Sequence, residues 1–491
     1  MAKVTTVIDI GSNSARMAIF RKTSRFGFYL LCEIKSKVRI SEGSYQFGGV
    51  LQEKAMQRAL SALIEFKSIS AKYGSKKLFC VATSAIRDAP NAKDFLRRVK
   101  EACGIDIKVI DGKKEAFYGG IACANLSHKK DGITIDIGGG STECAFIKEG
   151  KILDLISLNI GTIRLKELFF DKNQDLNIAK EFIKKELEKL PQSYKHSNVF
   201  GVGGTIRAIS KMIMRNTKYP IDVLHGYEVD VRKHLPFIEK IYTIKEDKLS
   251  TIGVTEDRKD NIQSGALILA MLLKKFEAQN ITTSGVGVRE GVFLSDLLRN
   301  QKYSFPNNLN PSLIALKDRF LPHPKHGENV RNECLKIFDA LKPLHKIDEK
   351  YKFHLSCAGM FSSIGRILSF YDGHEHSAYF LLHALDYGFS HQDKAIICLL
   401  AQFSNKKIPK DISIAHISDI MPPILTLQWL SFVLGMAEAM SVIIPSMDTS
   451  YSYEKGVLKV KSDKQLYLSA EIVQKLVKPA NFDIEFYNKG T

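Results

Sequence analysis

Residues 132–150 read GITIDIGGGSTECAFIKEG. Ile133, Ile135 and Ile137 alternate with small or polar residues, and Ala145 and Ile147 resume the alternation after the turn, which reads as a β-hairpin. At its centre DIGGGSTE sets Asp136 and Glu143 at either end of Gly138, Gly139, Gly140, Ser141 and Thr142. Glycine reaches positive φ cheaply and lets another group approach the main chain closely. Successive N–H groups in such a turn make an anion-binding nest, and the two hydroxyls add donors. Two carboxylates would repel a bare anion unless a divalent cation stood between. Mg2+ fits that arrangement, with one or two carboxylates, waters and phosphate oxygens around it. By itself the loop fits an ordinary glycine-rich hairpin equally well.

A second copy begins the chain. Residues 4–20 read VTTVIDIGSNSARMAIF, in which an apolar strand ends in Asp9, Ile10 and Gly11. Ser12, Asn13 and Ser14 make a small polar turn, and a second strand runs through Met17, Ile19 and Phe20. The two aspartates lie 127 positions apart, one per domain-sized unit. Two related domains facing across a cleft are expected, each giving one wall of a phosphate site.

The 491 residues are enough for several domains, and 45% hydrophobic with 25% charged residues is ordinary for a globular protein. Eight scattered cysteines form no CxxC pair, so reduced thiols are expected rather than a zinc site or disulfide framework. The first residues enter a strand with no signal-peptide pattern, and a cytoplasmic location is expected. The apolar run Pro422–Pro445 is interrupted by Gln428 and Glu438 and lacks basic flanks. It is read as a buried helix, with no membrane association expected. Of the net charge of +18, +15 lies in the first 300 residues. Such a field attracts polyanions; charge alone leaves nucleic acid open.

The first 125 residues alternate strands and helices. A helix is expected over Glu53–Tyr73, spaced by Leu60, Leu63, Ile64 and Ile69, and further helices at Ala92–Cys103 and from Glu115. The second unit, from Gly132, carries a charged helix at about 177–190, a strand at Asn198–Val202 and a long helix at about 258–278. Ser304–Asn308 reads as a linker. From about 312 to 447 nearly everything reads as helix, and nine of the 13 histidines lie there. In the tail, Val457–Val460 and Gln465–Leu468 alternate again.

Further pieces fit a phosphate cleft. ATSAIRDA places Thr83, Ser84 and Arg87 after a buried strand, where α/β folds bind ligands; Arg87 offers a planar fork, or is a surface arginine. GVGGTIRA, with Gly203, Gly204 and Thr205, and SGVGVREG are glycine turns at helix starts. DGKKEAFYGG places Glu115 at a helix start, where a carboxylate complements the dipole even without a catalytic task. No GxxxxGK[ST] occurs, which excludes a P-loop NTPase.

DIGSNSAR, ATSAIRDA, Gly112 to Ala116, DIGGGSTE, SLNIGTIRL (Ser157–Leu165), GVGGT and VREG occur in an order that resembles the exopolyphosphatase/guanosine pentaphosphate phosphohydrolase (Ppx/GppA) family. The resemblance spans roughly residues 4–300. It implies an α/β fold of two actin-like, ribonuclease H-like domains around a cleft, at 1–125 and 126–305. It also implies Mg2+-dependent removal of the terminal phosphate of polyphosphate, the 5′ phosphate of pppGpp, or both. In this resemblance Glu115 matches the general base. Asp136 and Glu143 match acids that hold the metal or assist the water, with Asp9 acting through water. Ser12, Asn13, Ser14 and Gly138 to Thr142 match phosphate loops, and Arg87 a phosphate clamp. Arg16 matches a position linked to guanosine-nucleotide recognition, and Arg258 a basic position lining the cleft. Where the family often has Gly-x-Glu-Glu-Ala, this chain has Lys113 and Lys114 before Glu115. Lysines pointing inward would lower the pKa of the base; they are expected to face solvent.

Residues 312–447 resemble the helical HD-like third domain of longer members, through HGENVRNECLKIFDAL and GHEHSAYFLLHALD. Counting from His376, the adjacent metal-binding His and Asp of an active HD domain fall at Ser362 and Ser363, and hydroxyls replace them poorly. A degenerate domain is expected, serving homodimer contact or a path for long polyphosphate, followed by a small α+β region at 448–491. Other readings are a sugar-kinase-like phosphotransferase, a non-catalytic sensor of (p)ppGpp or polyphosphate, and a heat-shock-type chaperone. The first lacks a visible acceptor pocket and adenine site. Intact acids count against the second, and the helical C-terminus against the third. No nucleic-acid partner is expected.

Overall fold

In the computed structural model, strands β1 (Val4–Ile10) and β6 (Gly132–Ile137) are each buried along their length except at one residue, Asp9 in β1 and Asp136 in β6. Both are inner strands of their sheets, covered on both faces, so that even Thr5, Thr6 and Thr134 are buried. The structure describes residues 4–171, 175–321, 323–404, 407–442 and 448–488. Its two units are 1–311 and 312–491.

The first unit contains two sheets. One has β1, β2 (Ala15–Lys22), β3 (Phe28–Ser36), β4 (Lys77–Ala82) and β5 (Ile107–Val109) in the order β3-β2-β1-β4-β5. β1 pairs antiparallel with β2 and parallel with β4. The other has β6, β7 (Thr142–Lys148), β8 (Lys151–Leu158), β9 (Asn198–Val202), β10 (Glu228–Asp230) and β11 (Asn280–Thr283) in the order β10-β11-β9-β6-β7-β8. Without its edge strand β10, the second sheet repeats the first, with β6 antiparallel to β7 and parallel to β9. Each sheet has its own apolar core.

Helices α1 (Glu53–Lys72), α2 (Ser84–Arg87) and α3 (Ala92–Cys103) accompany the first sheet, whereas α4 (Gly112–Leu126) packs on β7 and β8 of the second. With the second come α5 (Thr162–Leu165), α6 (Leu176–Leu187), α7 (Gly203–Asn216), α8 (Val231–Thr243), α9 (Ile262–Lys275) and α10 (Val288–Leu297). α1 forms where expected, but its buried face is Ala55, Met56, Ala59, Leu63 and Phe66. Ile64 is 43% exposed, because it lies about 100° around the helix from Leu63. The long helix expected from about 258 is shorter, since Glu256–Arg258 is a separate 3-10 turn and α9 begins at Ile262.

α10 returns to the first sheet. Phe293 stacks on Phe20 with ring centroids 4.5 Å apart. Gly291 lies so close to the Tyr118 carbonyl of α4 that a side chain there would overlap it. This close crossing of α4 and α10 fixes the two sheets at the base of the cleft.

In the second unit α11 (Pro311–Phe320), α12 (Pro324–His345), α13 (Tyr351–Phe361), α14 (Gly373–Ala384), α15 (His391–Gln402), α16 (Asp411–Ile414) and α17 (Ile424–Met440) precede β12 (Thr449–Glu454), β13 (Val457–Ser462), α18 (Tyr467–Val473) and β14 (Asp483–Asn488). One core joins helices and tail, including Phe338, Leu430, Leu458 and Phe482. The apolar run from Pro422 is α17, mostly buried; its end at 443–445, and the expected domain boundary at 447, lie outside the described residues. Among the described residues no single helix is long and apolar enough to cross a membrane. Gln465–Leu468 enters α18 rather than a strand. Leu466 is buried while Tyr467 and Leu468 are exposed, so only one of the two alternating leucines found the core.

Candidate active site

Strand ends of both sheets and the starts of α4, α5, α7 and α10 converge on the cleft. The β1–β2 turn closes on itself, with Gly11 N donating to Ser14 O at 3.1 Å. The β6–β7 turn does the same, with Gly138 N donating to Ser141 O at 2.9 Å. The SLNIGTIRL segment explains the second turn's shape. At the start of α5, Thr162 N donates to Gly138 O and Ile163 N to Gly139 O, each at 2.9 Å. The turn's carbonyls are thereby held from outside, as a nest of N–H groups requires. The two turns meet: a Cβ on Gly139 would stand 2.5 Å from Cβ of Ser12.

The cleft, about 140 Å3, is lined by Ser12, Asn13, Ser14, Arg16, Thr83, Gly138, Gly139, Ser141, Gly203, Gly204, Thr205 and Arg258. These were all expected from the sequence, as were the lining acids Asp9, Glu115 and Asp136. Gly203 has φ +82°, and a Cβ there would meet Asp136 Oδ1 at 2.5 Å, so only glycine suits that turn. Thr83 ends β4, its hydroxyl donating to Ile10 O at 3.4 Å.

Four expected residues lie off the cleft wall. Thr142 is buried, its hydroxyl donating to Ile160 O at 2.6 Å. Gly140 is buried behind the turn and accepts from Arg164 Nε at 2.8 Å. Glu143, on β7, is the cross-strand partner of Asp136, but accepts from Ser157 Oγ at 2.8 Å. Arg87 faces Glu115, with Nη1 at 3.6 Å from Oε2, and donates to Ile110 O at 3.2 Å. A guanidinium so engaged is a partner of Glu115 first. Lys113 is exposed and Lys114 lies over the Phe117 ring at 4.2 Å, away from the glutamate as expected.

Burial dominates the acids. Glu115, in the first turn of α4, has its pKa raised well above the usual range by burial, then by Glu143, Asp9 and Asp136, with Arg87 opposing. Glu143 is pushed up to about 8, mainly by burial. Asp9 rises to about 6 for the same reason, against Arg289 and Arg16. Asp136 is also raised by burial, against Arg207 and Arg16. Buried oxygens Asp9 Oδ1 and Glu115 Oε2 have no hydrogen-bond partner. Unsatisfied carboxylate oxygens in such a place suit a hard divalent cation. Among the described residues no three potential ligands converge into a ready cage. The donor set therefore fits Mg2+, which takes few carboxylates and keeps waters and phosphate oxygens.

Ser84, named with Thr83 in the sequence, also lines the cleft, and the sequence reading missed Lys35, Thr162, Arg207, Asn261 and Arg289 on the same wall. Arg207 and Arg289 each follow a glycine turn by a few residues, in GVGGTIRA and SGVGVREG; that spacing was the available signal. Beside the cleft, sharing Arg16, Lys35, Gly204, Arg207 and Arg258, opens a pocket of about 420 Å3 with Met212, Leu224, Val254 and Ile262 on its apolar side and Lys211 and Arg215 on its basic side.

A model of the Ppx/GppA phosphatase family matches residues 18–300, and one of Ppx/GppA phosphatase, domain III, matches residues 310–433. The chain is 28% identical over 426 residues to a guanosine-5'-triphosphate,3'-diphosphate pyrophosphatase of Pseudoalteromonas translucida, covering 83% of this chain and 82% of the relative. The crystal structure of the Aquifex aeolicus member of the Ppx/GppA family matches with a TM-score of 0.53 at 28% identity, over 61% of this chain and 99% of that one. That of an exopolyphosphatase from Cytophaga hutchinsonii matches with a TM-score of 0.55 at 24% identity, over 60% and 98%, a likeness of fold.

Proposed function

Because the chain belongs to the Ppx/GppA phosphatase family, we propose that it is a phosphohydrolase that removes the terminal phosphate of inorganic polyphosphate and the 5′ phosphate of pppGpp. The observation that carries this is Glu115. It is a buried carboxylate with an oxygen that accepts no hydrogen bond, lining the cleft in which the Ser12 and Gly139 turns meet.

The two turns hold the terminal phosphoryl group by backbone N–H groups and by the Ser12 and Ser141 hydroxyls. Glu115 takes a proton from a water aligned with the scissile P–O bond. A base whose pKa is raised by burial is poised for that at neutral pH. The leaving group is itself a phosphate, so positioning and charge neutralisation supply most of the rate. Asp136 and Asp9 would hold Mg2+, which would supply further neutralisation of the phosphate oxygens. Glu143 supports Asp136 from the neighbouring strand and is itself fixed by Ser157.

The side pocket favours the nucleotide as one substrate. Its apolar wall fits a base and its lysine and arginine a second phosphate group, continuous with Arg16 and Arg258. For the second unit the proposal is a degenerate HD-like fold, supporting a cytoplasmic homodimer. Counting from His376, Ser362 and Ser363 fall where an active HD domain would have its ligands, and the Ser362 hydroxyl donates to Gly359 O at 3.4 Å.

The test is phosphate release from long-chain polyphosphate and from pppGpp, with and without Mg2+, by wild type and Glu115→Gln. A loss of about 10^3-fold in kcat with substrate binding retained is expected. Tight binding of both compounds by a wild type that releases no phosphate would overturn the reading in favour of a sensor.

A further inference from the structure

The reaction as described leaves Arg207 and Arg289 without a task. Both line the cleft, and Arg289 is 5% exposed. They stand with Arg16 as three guanidiniums drawn from β2, α7 and α10. Each depresses or opposes another: Arg16 is held below its ordinary pKa by burial, then by Arg289 and Arg207. Burying like charges together is costly unless an anion meets them.

Two of the three are anchored. Arg207 donates from Nε to Ser284 O at 2.7 Å and from Nη2 to Val286 O at 3.2 Å. Arg289 Nη1 pairs with Glu33 Oε1 at 2.6 Å. Glu33, on β3, faces the whole trio: burial pushes its carboxyl up, but Arg289, Arg16 and Arg207 hold it below the usual range. Glu33, Glu290, Asp9 and Asp136 together offset the charge of the three guanidiniums. Among the described residues Arg16 makes no hydrogen bond or ion pair.

The trio has a definite side. Arg16 and Arg207 continue into the side pocket, which Glu115, Ser12 and Gly139 do not line. Asp9 feels Arg289 and Arg16, and Asp136 feels Arg207 and Arg16, whereas the arginine that acts on Glu115 is Arg87. Arg16 and Arg207 therefore line the cleft on the side of that pocket, with Arg289 on the same cleft wall. A phosphoryl chain with its terminal group at the two turns would extend towards them.

We propose that Arg207 and Arg289, with Arg16, bind the phosphoryl group on the leaving side of the scissile anhydride, and that Glu33 is a positioning residue that holds Arg289 there. This rests on the phosphohydrolase reading. When water oxygen bonds to the terminal phosphorus, the bridging P–O bond breaks and its electron pair stays on the bridging oxygen. The water proton goes to Glu115, and the leaving phosphate gains the negative charge. Guanidiniums fixed at that oxygen stabilise the transition state more than the ground state.

The experiment compares wild type, Arg289→Gln, Arg289→Lys, Glu33→Gln and the Arg289→Gln/Glu33→Gln double variant. It reads kcat and KM on pppGpp and polyphosphate, calorimetric binding of inorganic diphosphate, and melting temperature. Arg289→Gln should lower kcat by about 10^2-fold, more than it raises KM, and weaken diphosphate binding about tenfold. Arg289→Lys, which keeps the charge and guards against misfolding, should recover part of both. Glu33→Gln should have a smaller effect that vanishes in the double variant, the non-additivity of a residue acting through another. A folded Arg289→Gln with kcat and diphosphate binding within twofold of wild type overturns the proposal. So does full additivity of the two substitutions, for the role of Glu33. If wild type releases no phosphate from either substrate, the hydrolase reading fails separately, and unaltered diphosphate binding in Arg289→Gln still decides against the subsite.

Discussion

Asp136 and Glu143 are directly opposed cross-strand partners in the β6–β7 hairpin, whereas the equivalent pair in the β1–β2 hairpin is Asp9 with Arg16. The same local fold thus carries two acids on one side of the cleft and an acid with a cation on the other. The acid pair is costly in a buried place, and the fold keeps Glu143 tied to Ser157. That cost should be visible in the pH dependence of stability.

A carboxyl whose pKa is higher folded than unfolded contributes stability at low pH that is lost as pH rises through the folded value. Glu143 titrates near 8 and Asp9 near 6 in the folded chain. Without divalent metal, the melting temperature should therefore fall between about pH 5 and pH 8. Glu143→Gln should flatten the upper part of that fall while lowering kcat. Parallel melting curves for wild type and variant across the window would contradict the assignment of Glu143.

Added Mg2+ should reverse the same loss. A ligand bound only by the folded state at a hundredfold excess over Kd adds about 2.7 kcal/mol. The Mg2+-induced rise in melting temperature should grow from pH 6 to pH 8, as the acids ionise, and disappear in Asp136→Asn. Differential scanning calorimetry checks it; an increment independent of pH would count against carboxylate ligation here.

Arg87 lowers the pKa of Glu115 from 3.6 Å away. Arg87→Ala should move the acidic limb of the pH–rate profile to higher pH and reduce kcat at neutral pH about 3- to 10-fold. An arginine acting only as a phosphate clamp would instead raise KM and leave the limb in place.

Gly139→Ala places a methyl group against Ser12, since its Cβ would stand 2.5 Å from the serine Cβ. The two turns would have to separate, with a loss of about 10^2-fold in kcat and little change in melting temperature. Ser12→Gly in the same chain removes the colliding atom and should restore part of the rate, though it also removes a hydroxyl. No recovery in the double variant would show that the closeness of the turns is not what matters.

In the second unit Glu333 of α12 is buried and accepts from Thr449 Oγ1 at 2.7 Å and from Tyr451, with Lys336 Nζ at 2.9 Å. It joins the tail sheet to the helices through charged hydrogen bonds. Glu333→Ala strands those donors and should cost about 3 kcal/mol in urea unfolding. A loss below about 0.5 kcal/mol would mark it as a surface-like network.

Turns and the acids beside them were legible in the sequence because their signals are local. Alternating isoleucines, an aspartate at the strand end and a run of glycines sit within a dozen adjacent positions, and only a few backbone forms satisfy them. The repeat from Asp9 to Asp136 announced two like sheets before any coordinates. Glu115, whose place at a helix start left its task open, was singled out by the resemblance of Gly112 to Ala116 to the family's motif. The face of α1 was misjudged because alanines and Phe66, not the more obvious Ile64, meet the sheet.

The sequence alone therefore determined the two hairpins, their phosphate-sized turns, the identity of the acids and the family to which they belong. Tertiary structure decided which charges meet. Arg16, Arg207 and Arg289 come from three distant elements into one cluster, Arg87 turns to the base, and Glu143 turns to Ser157. The physical reason is range. Backbone conformation is set by neighbours in the chain, whereas the direction and protonation of a buried charge are set by burial and by partners up to hundreds of positions away.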